Sequence, residues 1–184
     1  MTCEEIVELK RQYGIFGDVV LGFVGNIIDV KNVLVLPEIV LNVKKMMSDK
    51  DVVLVIVGNG DLEKPLFNQL EGNGIKYIYI GKQPPAAVPG IMNCLDLLIL
   101  PSKNEGLPMV TLEAMACGVK VVGSNVGGIS ESIGKENCFD LGPSFVKDIS
   151  VRIVELVKNQ NNPITLPSEF SWTSAIDKLC GYLT

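Results

Sequence analysis

The sequence contains no histidine. That excludes a Ser-His-Asp centre, a histidine general base and histidine metal ligation within these 184 residues. It has a single tryptophan, no basic stripe interleaved with aromatics and a net charge of −5, so nucleic acid is not an expected partner. No apolar run approaches the ~20 residues that a membrane helix needs. The first residues, MTCEEIVELKRQYG, lack the apolar centre of a signal peptide. CxxC is absent too. Cys3, Cys94, Cys117, Cys138 and Cys180 are scattered and odd in number, which reads as reduced thiols of a cytoplasmic protein and not as a disulfide frame or zinc site.

What is present is a chain of 47% hydrophobic and 20% charged residues, enough to bury the core of one domain spanning residues 1–184. A helix is expected from Thr2 to Tyr13, capped by Thr2 and stopped at Gly14. Val19–Val24 reads as a strand ending in Gly25-Asn26, and Ile27–Lys31 leads to a helix from Asn32 to about Met47. Pro37 stands late in the first turn of that helix and predicts an irregular start. Val52–Val57 is almost purely β-branched, as in a strand buried on both faces. Gly58-Asn59-Gly60-Asp61 turns into a helix near Leu62–Leu70.

Lys76–Ile80 predicts a third strand, followed by Gly81-Lys82-Gln83 and a short helix near Val88–Cys94. Leu97–Leu100, Lys120–Gly123 and Asn137–Asp140 complete the strands. Helices are expected near Ser130–Ile133, over Ser144–Lys158 and over Phe170–Leu183. This alternation predicts an α/β fold, a Rossmann-like parallel sheet sandwiched by helices. Ligands of such sheets lie beyond the strands' carboxyl ends, where strand order reverses. The turns at Gly25, Gly58/Gly60, Gly81 and Gly127/Gly128 all fall at carboxyl ends.

The stretch Asn104–Gly118, NEGLPMVTLEAMACG, follows a strand and opens a helix. Pro108 suits the first helical position and Gly118 the stop. The N–H groups of Met109 and Val110 would then meet an anion beyond the sheet, phosphate above all. Glu105 and Glu113, eight residues apart, would repel a phosphate if they faced it. They make sense as acceptors for hydroxyls on either side of it, a sugar–diphosphate–ribose pattern. Several features keep a bland alternative open. Glu105 beside a helix start is favoured by the macrodipole anyway. Gly58-x-Gly60 lacks the third glycine of a dinucleotide fingerprint and reads equally as a structural turn. Gly127-Gly128 reads either as a tight turn or as a small anion nest.

NEGLPMVTLEAMACG resembles the Glu-x7-Glu signature of family-4 retaining glycosyltransferases, enzymes of the two-domain GT-B fold. LGFVGNIIDVKN, VLVIVGNGDLEKPL, DLLILPSKNEG and VVGSNVGGISESIG resemble the family's neighbouring elements, and FSWTSAIDKLCGYL its terminal helix. The resemblance implies the carboxy-terminal half, which binds a nucleoside diphosphate sugar (UDP-, GDP- or ADP-linked) without a metal ion or other cofactor. Glu113 would bind ribose hydroxyls, Glu105 the transferred sugar, and amides over Gly106, Leu107, Pro108, Met109 and Val110 the diphosphate and sugar. Lys31, with Glu105 the implied catalytic residue, would neutralise the departing diphosphate beside Gly25 and Asn26. Gly127 and Gly128 would line the phosphate side, and Gly81 and Lys82 would approach the base.

Asn26 stands where the family often has arginine, which favours as alternative a non-catalytic, regulatory nucleotide-sugar-binding module. The family's amino-terminal acceptor domain is not in this sequence, so the chain alone is expected to be incomplete and inactive. The expected activity of the whole is hexosyl transfer to a glycan or lipid-linked acceptor, with room for peripheral membrane association through the other half.

Overall fold

The computed structural model describes residues 1–159; the helix expected over Phe170–Leu183 lies outside the described residues. Six parallel strands of the described residues form one sheet: β1 (Val19–Val24), β2 (Val52–Val57), β3 (Tyr77–Gly81), β4 (Leu97–Leu100), β5 (Lys120–Ser124) and β6 (Cys138–Phe139). Their spatial order is β3-β2-β1-β4-β5-β6. The chain therefore builds outward from β1 to one edge, returns to β4, and builds outward to the other. The reversal lies between β1 and β4.

Among the described residues seven α-helices connect or flank the strands: α1 (Cys3–Tyr13), α2 (Leu36–Met46), α3 (Glu63–Gly72), α4 (Val88–Met92), α5 (Met109–Ala116), α6 (Ile129–Ile133) and α7 (Phe145–Lys158). Among the described residues no helix is long and apolar enough to cross a membrane. The period-two alternation of the strands splits the core into two layers. Leu21, Phe23, Leu54, Ile56, Leu97 and Ile99 pack toward α2, α3 and α7. Val20, Val53, Val55, Leu98, Leu100 and Val121 pack on the opposite face with α4, α5 and α6. All twelve are at most 2% exposed, so the strands at the reversal are held rigidly from both sides.

Helix ends follow local chemistry. Thr2 and Glu5 form a reciprocal capping box at the start of α1, and Gly14 takes the left-handed conformation at its end. The helix expected from Asn32 begins later. Asp29–Lys31 and Val33–Val35 are 3₁₀ turns, Asn32 between them has φ +52°, and regular α-geometry starts at Leu36 with Pro37 in the first turn. Proline has no N–H to donate, so the chain tightens before it and continues as a helix after it. Other bounds shift by one or two residues, among them the ends of α3, α4 and β5. The third strand begins at Tyr77, and β6 keeps two residues of the expected Asn137–Asp140.

Candidate functional site at the strand-order reversal

The loop after β1 and the loop after β4 face each other across the reversal and are bonded together. Lys31 Nζ lies 2.5 Å from Glu105 Oε1, a pair 74 residues apart in sequence. The two side chains are 21% and 11% exposed, so this pair is sheltered at the rim. A second pair joins the same loops on the surface, Lys103 Nζ to Asp29 Oδ1 at 2.6 Å. Between them the Lys103 N–H donates to the Val30 carbonyl at 2.8 Å. The tight 3₁₀ turn over Asp29–Lys31 brings both partners from the first loop into reach.

Glu105 is fixed from below as well. Ser102, fully buried just after β4, donates its hydroxyl to Glu105 Oε1 at 2.7 Å. The Ser102 carbonyl accepts from Ser124 Oγ at 2.5 Å, at the end of β5. Glu105 thus carries one negative charge against one positive charge and one neutral donor. Sequence reasoning singled out Lys31 and Glu105 but missed Ser102 and Ser124. A serine straight after a buried apolar strand was the only signal available for Ser102.

Helix α5 starts beside this pair. Pro108 is its N-cap in extended conformation (ψ 111°), one place before the first helical position expected for it. A proline at the cap still forfeits no helical hydrogen bond, and Met109 and Val110 head the helix as anticipated. The Thr111 hydroxyl, buried, lies 2.7 Å from the Pro108 carbonyl and 2.9 Å from Ser132 Oγ, tying the helix start to α6. Glu113 is exposed on α5, one turn before Cys117. Burial pushes the Cys117 thiol up, and the Glu113 charge adds to the effect. Leu107 and Met109 are exposed at 43% and 62%, an apolar rim around the helix start.

Gly127 and Gly128 are explained by close approach. Gly127 has φ +54°, and a Cβ there would fall on the Glu105 carbonyl oxygen. The Gly128 N–H donates to the Gly106 carbonyl at 2.7 Å. The turn after β5 therefore rests backbone-on-backbone against the Glu105 loop. An anion nest on this pair would have to work without the Gly128 N–H.

The Gly58-x-Gly60 turn has the same explanation. Side chains at Gly58 and Gly60 would strike the carbonyl oxygens of Gly25 and Ile27, so the turn seats directly on the β1 loop. The Gly25 N–H donates to the Val57 carbonyl and the Gly58 N–H to the Gly81 carbonyl, each at 2.9 Å. Asn26 is exposed beside Gly25. Gly81 and exposed Lys82 stand on the same rim but at the edge strand, two strands from β1. The structure thus brings Lys31, Glu105, Gly106, Gly127 and Gly128 together and sets Gly81 and Lys82 further along the rim.

The chain matches the family described as "Glycosyl transferases group 1" over residues 6–167. The 2-deoxystreptamine N-acetyl-D-glucosaminyltransferase of Streptomyces fradiae is 37% identical over 84 residues, 45% of this chain and 20% of that protein. The N-acetyl-alpha-D-glucosaminyl L-malate synthase of Bacillus anthracis is 33% identical over 132 residues, 70% of this chain and 33% of that protein. Across the first four curated relatives the chain spans between 20% and 40% of their length. Among solved structures, Anabaena Alr3699/HepE in complex with UDP superposes with a TM-score of 0.78 at 21% identity, covering 100% of this chain and 53% of that one. The C-terminal domain of LpcC from Francisella tularensis gives 0.69 at 22% identity, covering 83% and 82%. These likenesses match the Rossmann-like fold seen above. On the strength of the match over residues 6–167, the chain belongs to the glycosyl transferases group 1 family.

Proposed function

We propose that this chain is the donor-binding half of a retaining, family-4 glycosyltransferase that moves a hexose from a nucleoside diphosphate sugar to a glycan or lipid-linked acceptor. The observation that carries the reading is the Lys31–Glu105 pair at the reversal of strand order, beside the start of α5. A cation, a carboxylate and the first N–H groups of a helix converge where open parallel sheets hold their ligands. The partial coverage of the relatives fits a half enzyme. The fold shared with LpcC's C-terminal domain supports the carboxy-terminal position. The UDP held by Alr3699/HepE supports a nucleotide ligand.

In this reading Lys31 and the amides of Met109 and Val110 take the diphosphate, Glu113 the ribose hydroxyls, and Glu105 a hydroxyl of the sugar. The turns at Gly25-Asn26 and Gly127-Gly128 shape the phosphate side, and Gly81-Lys82 lies toward the base. Transfer breaks the bond from the sugar's anomeric carbon to the diphosphate oxygen and forms one to the acceptor oxygen on the same face. The acceptor proton passes to the leaving diphosphate. Lys31 stabilises the charge that develops there, so the charge is met by protein groups already in place. The acceptor cleft comes from the other half of the enzyme, which also carries any membrane contact.

Thermal-shift screening with UDP-, GDP- and ADP-sugars tests this. Stabilisation by one nucleotide class is the expected outcome; stabilisation by flavin and by none of these sugars would overturn it. Asn26 favours a second reading, a nucleotide-sugar-binding module that regulates a partner. Joining the acceptor domain and assaying transfer separates the two.

A further inference from the structure

The structure assigns Ser102 a role as a positioning residue for sugar recognition: it holds Glu105 so that one carboxylate oxygen serves Lys31 and the other is left for a hydroxyl of the transferred sugar. This rests on the donor-binding reading above. The Ser102 hydroxyl and the Lys31 ammonium both end on Oε1, at 2.7 and 2.5 Å. An ionised carboxylate offers about four lone-pair sites over its two oxygens, and these two bonds use only the Oε1 side. Lys31 alone would leave the carboxylate free to turn about its last torsion, because an ammonium is a point charge without a fork. Ser102 removes that freedom. Its own backbone is anchored by Ser124 Oγ on the next strand, and both serines are 0% exposed.

The remaining oxygen cannot welcome phosphate, whose charge it would repel. On a side chain that is only 11% exposed, it is instead suited to a neutral O–H donor. Ser102 acts only through Glu105, so its loss should affect the sugar and spare the nucleotide. That separates positioning from general support of the fold.

Calorimetric titration of the 184-residue chain with UDP, GDP and ADP, each bare and as its glucose conjugate, reads this directly. Ser102→Ala is expected to bind the bare nucleotide within about twofold of the parent and the glucose conjugate about tenfold more weakly. In a Glu105→Gln background Ser102→Ala should cause no further loss, because the carboxylate it orients is gone. An unchanged ratio of conjugate to bare nucleotide, or fully additive losses in the double variant, would overturn the assignment. If Ser102→Ala loses its cooperative melt, Ser102→Cys, which keeps the volume and a weak donor, reads the same ratio with an intermediate loss expected. A parent chain that binds none of the six ligands would overturn the donor-binding reading itself, and this assignment with it.

Discussion

Lys31 and Glu105 meet across the gap between β1 and β4, Nζ to Oε1 at 2.5 Å, although 74 residues separate them in sequence. The pair closes the reversal of strand order and sets a positive charge beside the first turn of α5. Because it is sheltered, removing one partner leaves the other poorly solvated. Lys31→Ala is therefore expected to destabilise the fold by about 2–3 kcal/mol in urea denaturation. Lys103→Ala breaks the pair with Asp29, which is 80% exposed, and should cost no more than about 1 kcal/mol. Equal losses would show that shelter is not what makes the Lys31 pair matter.

Gly127 and Gly106 lie on opposite sides of one backbone contact and should respond very differently to an added side chain. Gly127→Ala forces a side chain into the left-handed region and onto the Glu105 carbonyl, with an expected cost of about 3 kcal/mol or more. Nothing lies within 4 Å of a Cβ at Gly106, so Gly106→Ala should stay within about 0.5 kcal/mol of the parent. Melting curves of the two variants check this. A mild Gly127→Ala would contradict the close seating of the turn after β5.

Burial, with a smaller contribution from Glu136, pushes the Cys138 thiol from its ordinary 9.0 up to about 11. The folded chain keeps this proton over a range in which the unfolded chain releases it. The sign follows: the group has no effect below its ordinary value, and stability falls as pH rises from there toward the folded value. Urea midpoints at about pH 8 and about pH 10 should therefore drop in the parent and drop less in Cys138→Ala. Burial also raises the Cys94 thiol, so exposed Cys3 should be alkylated well before Cys94 or Cys138.

The sheet was readable where burial is complete. Val52–Val57 and Leu97–Leu100 are unbroken apolar runs and Val19–Val24 one interrupted only by Gly22, each closed by glycine or proline, and their observed bounds coincide with the expected ones. The edge strands β3 and β6 are only partly buried, so apolar pattern marks them less sharply and their bounds moved. Pro37 announced an irregular start to α2, but not Asn32 at φ +52°, which lies in a loop docked on Lys103 after β4, a contact between distant segments. The glycine turns were legible as turns. That Gly58 and Gly127 serve backbone contacts between distant loops was not, since those contacts depend on strand order. For the same reason Lys31 and Glu105 could each be picked out, but their bond could not.

In the proposed reading the rim at this reversal holds a nucleoside diphosphate through Lys31, the start of α5 and Glu113. Titrating bare UDP, GDP and ADP into the parent and into Glu113→Ala tests it most directly. Glu113 is exposed, so its loss should leave the melting temperature in place. One of the three nucleotides is expected to saturate the parent and to bind Glu113→Ala about tenfold or more weakly, as for a lost hydrogen bond to a charged acceptor. Equal binding by parent and variant, or no binding of any of the three, would contradict it.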